Sequence, residues 1–168
     1  MTISMYQASV PTFVRMLNNL AAILEKAAAQ AEARKWDPAV LINARLYPDM
    51  LPFVQQIQIA SDGAKGGAAR LAGQEPPKYE DNEKTFADLI GRVRKTIDYL
   101  NGLTPAQIDG SEERTITLQM RNSTLTLQGL PYLLNRVLPN FYFHVTTAYD
   151  ILRHSGLDIG KRDYLGTH

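Results

Sequence analysis

The chain has 168 residues, of which 45% are hydrophobic and 21% are charged, and its formal net charge is +1. This length and composition predict one soluble globular domain that covers residues 1–168. A net charge so close to zero gives no electrostatic support for binding to nucleic acid or to a membrane surface. No apolar run reaches the roughly 20 residues that span a bilayer. The absence of cysteine excludes disulfides and thiolate metal sites, and the N-terminus has no secretory signal pattern, so the expected location is the cytoplasm.

Four long helices are predicted from apolar residues that recur at helical spacing. Their expected ranges are 4–35, 48–73, 82–101 and 129–156. Pro11 lies inside the first range, which predicts either a kink or a start near residue 9. Short connections between these helices favour an antiparallel bundle.

Shorter features are predicted between the long helices. Asp37 should cap a short helical turn that begins at Pro38, and residues 104–107 form a capping box for another turn. Between the third and fourth helices the apolar period changes from 3.6 to 2, which predicts a β-hairpin with strands 115–120 and 124–127 around a turn at 121–123. The predicted fold class is therefore all-α, an antiparallel four-helix bundle with a small β-hairpin between helices 3 and 4. The tail has no helical period but carries apolar residues, so we expect it to dock on the bundle.

The fourth helix carries one histidine, His144, within its apolar stripe. A histidine there is either a metal ligand or general base inside the bundle, or a neutral buried residue that hydrogen-bonds to a tyrosine or a carbonyl. A single histidine on an apolar face favours the second interpretation. The stripe is Leu130, Leu134, Val137, Phe141, His144, Ala148 and Ile151.

Few residues are expected to support a metal at His144. The residues four positions before and after His144 are Asn140, which is a poor metal ligand, and Ala148, which cannot bind a metal at all. A carboxylate from the second helix, Asp49 or Asp62, would have to complete such a site. The spacing signal for a metal is therefore weak.

Residues 59–69 place three glycines inside the predicted second helix. Each costs about 1 kcal/mol relative to alanine, so some feature should offset them. Close helix packing, within the bundle or across a dimer interface, is the favoured interpretation. The alternative is room for a ligand beside Asp62 and Lys65.

The segment before the second helix is a further candidate site. Arg45, Tyr47 and Asp49 are expected to lie near a helix N-terminus, which favours an anion. Simple capping of the helix by Asp49 is an equally good interpretation.

Three segments, 4–11, 43–65 and 140–166, together with the helix order and the hairpin, resemble the DinB/YfiT-like four-helix-bundle superfamily. More narrowly, the chain is similar to a bacterial subfamily known only as a domain of unknown function. The resemblance implies the bundle fold. It also implies a comparison with the metal-binding members, which present one histidine from the second helix and a His-x-x-x-His pair from the fourth, and which carry out metal-dependent thiol transfer and hydrolysis. His144 matches one position of that pair, Asn140 or Ala148 stands at the other, and no histidine occurs in the predicted second helix.

These features predict a non-catalytic bundle that forms a homodimer or binds a small molecule, without a cofactor beyond a weakly held divalent metal. The alternative is a metal-dependent hydrolase or transferase that uses His144 with Asp49 or Asp62. A third interpretation is metal-free acid–base catalysis by His144 with a carboxylate. The candidate pocket residues are His144, Asn140, Tyr47, Asp49, Asp62, Lys65 and Arg45.

Overall fold

A computed structural model of the chain describes residues 2–119 and 122–166. It confirms the predicted fold class, because four long helices form a bundle and a two-stranded hairpin lies between the third and the fourth. None of the helices in the described part of the chain is long and apolar enough to cross a membrane. The elements in chain order are α1 (Met5–Ala33), α2 (Pro38–Ile42), α3 (Phe53–Leu71), α4 (Phe86–Asn101), α5 (Pro105–Ile108), β1 (Thr115–Gln119), β2 (Thr124–Gln128), α6 (Gly129–Tyr132), a π-helical turn (Leu133–Val137), α7 (Leu138–His154) and α8 (Lys161–Leu165).

The contacts between α3 and α4 show that these two neighbours run in the same direction, unlike the antiparallel arrangement that was expected from short connections. Their first residues, Phe53 and Phe86, pack with ring centroids 6.2 Å apart. Further along both helices, Asp62 of α3 pairs with Arg92 of α4. Parallel neighbours need a connection that returns along the bundle, and residues 72–85 supply it. At about 3.3 Å per residue, this crossover segment is long enough to run back along the 19-residue α3, which is about 28 Å long.

α3 also packs on α7, and these two helices are antiparallel. Gln56 near the start of α3 contacts His144 of α7. Gly67, near the end of α3, contacts Val137 at the end of the π-helical turn. The α3–α7 interface therefore contains both the predicted histidine and the predicted glycine segment.

The second long helix begins later than predicted. Residues 43–52 form a loop, and Pro52 is the N-cap of a helix whose first residue is Phe53. A helix that began at Pro48 would need the backbone N–H of Pro52, which does not exist, and the Pro52 ring would clash with the preceding turn. The third helix likewise begins at Phe86 instead of residue 82, because Thr85 caps it in a capping box with Asp88.

The predicted stripe of the fourth helix is wrong in its first two members. Leu130 and Leu134 are 42% and 47% exposed, whereas Tyr132 and Leu133 are buried. The π-helical turn has an extra residue per turn, so it rotates the positions before it relative to those after it. Pro139, which has no N–H to donate four residues back, is the second residue after this turn. A prediction that assumes a constant period of 3.6 residues therefore assigns the residues before Val137 to the wrong face of the helix.

The tail docks on α1, as expected. Leu157 and Ile159 are buried, and the amide of Asn19 donates to the carbonyl of Tyr164. The tail was expected to contain no helix, and this expectation was wrong, because Lys161–Leu165 forms a short helix. The predicted hairpin is present, although two residues of its predicted strand and turn, 120 and 121, lie outside the described part.

Candidate functional site

The centre of the candidate site is the hydrogen bond between His144 and Gln56. His144 is 7% exposed, and its Nδ1 lies 2.7 Å from Gln56 Oε1. The Gln56 amide nitrogen donates to the carbonyl of Leu51 at 2.9 Å, which fixes the orientation of the amide group. Because the Oε1 atom is then the one that faces His144, Nδ1 carries the hydrogen and donates it. In the neutral ring the lone pair is therefore on Nε2.

The environment of His144 keeps this ring neutral. Burial lowers the pKa of His144 below its ordinary value of 6.5, because the charged form is poorly solvated there. The ring of Phe143 lies edge-on to the imidazole, with centroids 5.1 Å apart. A neutral imidazole with its lone pair on Nε2 can accept a proton or a hydrogen bond, or bind a metal.

In the structure Asn140 lies near His144, whereas Asp62 pairs with other residues. A Cβ added to Gly63 would lie 3.6 Å from the amide nitrogen of Asn140, so Asn140 lies over α3 one turn before His144. The Asp62 carboxylate is 2.8 Å from both Lys65 Nζ and an Arg92 nitrogen. Asp62 therefore belongs to an ion-pair cluster in which Arg92 also contacts Asp81 and Glu83.

Lys65 belongs to the same cluster. Its side chain is 6% exposed, and its ammonium group lies 4.5 Å from the centre of the Tyr79 ring on the crossover segment. Attraction to the ring face adds to the ion pair. Lys65 therefore fastens the crossover segment to α3.

The loop residues Arg45, Tyr47 and Asp49 do not form the predicted anion site. Arg45 donates to the carbonyls of Pro48 and Met50, at 3.4 and 3.1 Å, so it closes the loop on itself. Tyr47 is 65% exposed, and Asp49 is exposed as well. The predicted cap is also wrong, because Pro52 is the N-cap of α3 and no side chain caps that end.

Sequence reasoning missed Gln56 and Arg92. Both are buried polar residues on apolar helix faces: Gln56 lies one turn after Phe53, and Arg92 lies one turn after Leu89. A polar or charged residue inside a predicted stripe was the available signal. It identifies a residue that needs a buried partner, but the sequence does not say which one.

The residues around His144 do not fit the three-histidine metal centre of the metal-binding superfamily members. The counterpart on α3 is Gln56, whose carbonyl oxygen is occupied by the His144 N–H, and Asn140 supplies only another amide. Amide oxygens are weak ligands for zinc, which prefers imidazole and thiolate. Within residues 2–119 and 122–166, no three His, Asp or Glu side chains are grouped so as to hold a metal ion.

Two comparisons agree on what the chain is similar to. The family model described as "Domain of unknown function (DUF1993)" matches residues 5–165. The crystal structure of a DinB family member from Shewanella denitrificans is 42% identical, covers 97% of this chain and 92% of its own, and has a TM-score of 0.88. Among curated proteins, none is significantly similar. The chain therefore belongs to the DUF1993 family of domains of unknown function, and it has the fold of a DinB family protein.

Proposed function

We propose that this protein is a non-catalytic member of its family that binds a small molecule and acts as a homodimer. The observation that carries this proposal is the Gln56 amide, which bridges the carbonyl of Leu51 and Nδ1 of His144. An amide at this place orients the histidine without supplying a charge or a strong ligand. The predicted carboxylate partner Asp62 is instead paired with Arg92 and Lys65, which disfavours both a metal centre and a histidine–carboxylate catalytic pair at His144.

The test is the metal content of purified, tag-free protein, with thermal unfolding measured in the presence and absence of Zn²⁺. We expect metal far below one equivalent, and no rise in Tm with Zn²⁺, in both the wild type and His144→Ala. A near-stoichiometric metal that disappears in His144→Ala would overturn the proposal. That result would favour the metal-dependent hydrolase or transferase instead.

A positive control can be built from the same positions. The double variant Gln56→His/Asn140→His places one histidine on α3, where Gln56 contacts His144, and creates a His-x-x-x-His pair at residues 140 and 144, which is the arrangement of the metal-binding superfamily members. We expect this variant to bind Zn²⁺ and to gain thermal stability from it. Its response shows that the assay detects a three-histidine centre on this scaffold.

The homodimer part of the proposal is supported by the exposed apolar side chains of the fourth helix. The glycine segment does not supply this interface, because Gly66 and Gly67 are buried within the chain. Leu130 and Leu134 are 42% and 47% exposed and lie four residues apart, so they share a helix face. We expect a dimer in sedimentation velocity at micromolar concentration and a monomer for Leu130→Glu/Leu134→Glu; a monomeric wild type would contradict this part.

A further inference from the structure

We infer that the cleft between α3, the π-helical turn and β1 binds an anionic oxygen group, a carboxylate or a phosphate, with Arg70 and Arg136 as its cationic partners. The inference rests on the proposed small-molecule binding and names the chemical class of the ligand. The cleft has a volume of about 130 Å³. This is several times the roughly 30 Å³ that a water molecule occupies and well below the roughly 300 Å³ and more of pockets that hold a whole drug-sized ligand. Its size therefore suits the charged head of a ligand, with the remainder outside.

Hydrogen-bond donors line this cleft from two sides. Arg70 comes from α3, and Tyr132, Arg136 and Asn140 come from the fourth helix. Nη1 of Arg70 donates to the carbonyl of Gly66 at 3.0 Å and lies 3.5 Å from the Tyr132 hydroxyl. A guanidinium group has five N–H donors, so most of the donors of Arg70 remain for a ligand.

The two guanidinium groups lack anionic partners within the described part of the chain. None of the ion pairs formed by residues 2–119 and 122–166 includes Arg70 or Arg136. Asp62 also lines the cleft and pairs with Lys65 and with Arg92; counted together, the two arginines and this one carboxylate give the lining a formal charge of +1. The cleft is therefore left with a net positive charge, and paired guanidinium groups are well suited to carboxylate and phosphate oxygens.

The hydroxyl of Tyr132 remains a donor. Its side chain is 3% exposed, and burial raises its pKa although Arg70 and Arg136 nearby act in the opposite direction. The phenol is therefore protonated at neutral pH. It can donate to an anion that Arg70 also contacts.

Two local features of the backbone build this cleft. The π-helical turn that contains Arg136 is a rare conformation that occurs frequently at functional sites. Gly63 lines the cleft, and the nearest atom to a Cβ built there is the Asn140 amide nitrogen at 3.6 Å, an ordinary contact distance. Packing does not require glycine at this position, so its effect is to leave the space open.

The test is a calorimetric titration of EDTA-treated protein with inorganic phosphate and, separately, with acetate at constant ionic strength. We expect saturable binding of at least one anion, weakened at least about tenfold in Arg136→Met because a charge-assisted hydrogen bond is lost. Arg94→Met is the matched control, because Arg94 is exposed on α4 and pairs with Glu25; its affinity should equal that of the wild type. The anion that binds more tightly identifies the head group as a phosphate or a carboxylate.

A second variant tests the space instead of the charge. Gly63→Leu fills the cleft without changing any ionisable group, and we expect it to abolish binding while circular dichroism shows a folded helical protein. The inference is overturned if neither anion saturates the wild type, if Arg136→Met binds as the wild type does, or if Arg94→Met loses as much affinity. EDTA removes any metal from these titrations, so the anion site can hold even if His144 proves to bind zinc and the proposed function fails.

Discussion

At the scale of single residues, the choice of glutamine at position 56 determines the behaviour of His144. A carboxylate facing Nδ1 would stabilise the imidazolium form, as it does in catalytic and metal-binding histidines. The Gln56 amide accepts the same hydrogen bond without a charge, so burial is the dominant influence on the pKa of His144 and lowers it. The ring is oriented in the way that a ligand or base requires, but its partners are neutral.

The lowered pKa predicts that acidification destabilises the folded protein in a definite window. In the unfolded chain His144 takes up a proton near its ordinary pKa of 6.5, whereas the folded chain resists protonation at that pH. The unfolded state then binds more protons, so the free energy of unfolding falls as the pH drops below 6.5 and is unaffected above it. Urea unfolding between about pH 8 and pH 5 measures this loss, which should be nearly absent in His144→Gln.

Gln56→Glu is the control for this explanation. A carboxylate in place of the amide should raise the pKa of His144, which can be followed by NMR, and should reduce the acid-induced loss of stability. Glu83 and Asp163 also have lowered pKa values, but their ordinary values are 4.5 and 3.8, so their effects begin at lower pH. If His144→Gln showed the same acid sensitivity as the wild type above pH 5, the explanation would be wrong.

At the scale of elements, periodicity predicted which helices exist but not where each one faces or begins. The hairpin and the four long helices followed from apolar spacing because both patterns depend on near neighbours in the chain. The start of α3 is determined by Pro52. The prediction followed the apolar spacing through this proline and therefore placed the start of the helix too early. The exposure of Leu130 and Leu134 depended on the π-helical turn, which spacing alone does not reveal.

The residues of the candidate site also fall into two groups: those that could be predicted from their position on one helix, and those that depend on packing between helices. His144 was predicted to be buried and hydrogen-bonded, and Asn140 was predicted to lie near a pocket, because each follows from a position on one helix. The partners Gln56 and Arg92 come from other helices, so their roles depend on packing. The loop residues around Tyr47 failed as a site because the expected helix start was wrong.

The glycines of α3 give a prediction about the element itself. A Cβ at Gly67 would lie 2.5 Å from a methyl group of Val137, so Gly67→Ala should destabilise the protein by about 1–3 kcal/mol through overpacking. Gly91 on α4 has no neighbour within 4 Å of its added Cβ, so Gly91→Ala should stabilise by about 0.4–1 kcal/mol. Chemical denaturation of both variants measures the change in the free energy of unfolding. If Gly67→Ala raised that free energy, helix propensity, and not the close approach to Val137, would determine the effect of a substitution at residue 67.

At the scale of the whole molecule, the parallel arrangement of α3 and α4 depends on how the crossover segment is held. Arg92 is buried and donates to the carboxylate of Glu83 and the carbonyl of Glu80, both on that segment, at 2.9 and 3.1 Å. Burial would raise the pKa of Glu83, but hydrogen bonds from Gln58 and Arg92 outweigh it and lower that pKa. The ring of Tyr79 meets the cations of Lys65, Arg92 and Lys95. A polar cluster therefore fixes the segment across the groove between the two helices.

Arg92→Met should consequently cost about 3–5 kcal/mol, because it leaves the Glu83 carboxylate, whose side chain is 8% exposed, buried without its cation. Asp81→Asn is the matched control: Asp81 pairs with the same guanidinium but is 60% exposed, so its loss should cost under about 1 kcal/mol. Urea unfolding gives the free energies, and hydrogen exchange should show faster opening of residues 78–85 in Arg92→Met. The double variant Arg92→Met/Glu83→Met should recover much of the loss, since an apolar pair of similar volume avoids the unpaired charge. Equal costs for Arg92→Met and Asp81→Asn would mean that the crossover segment is held by its apolar contacts and not by this cluster.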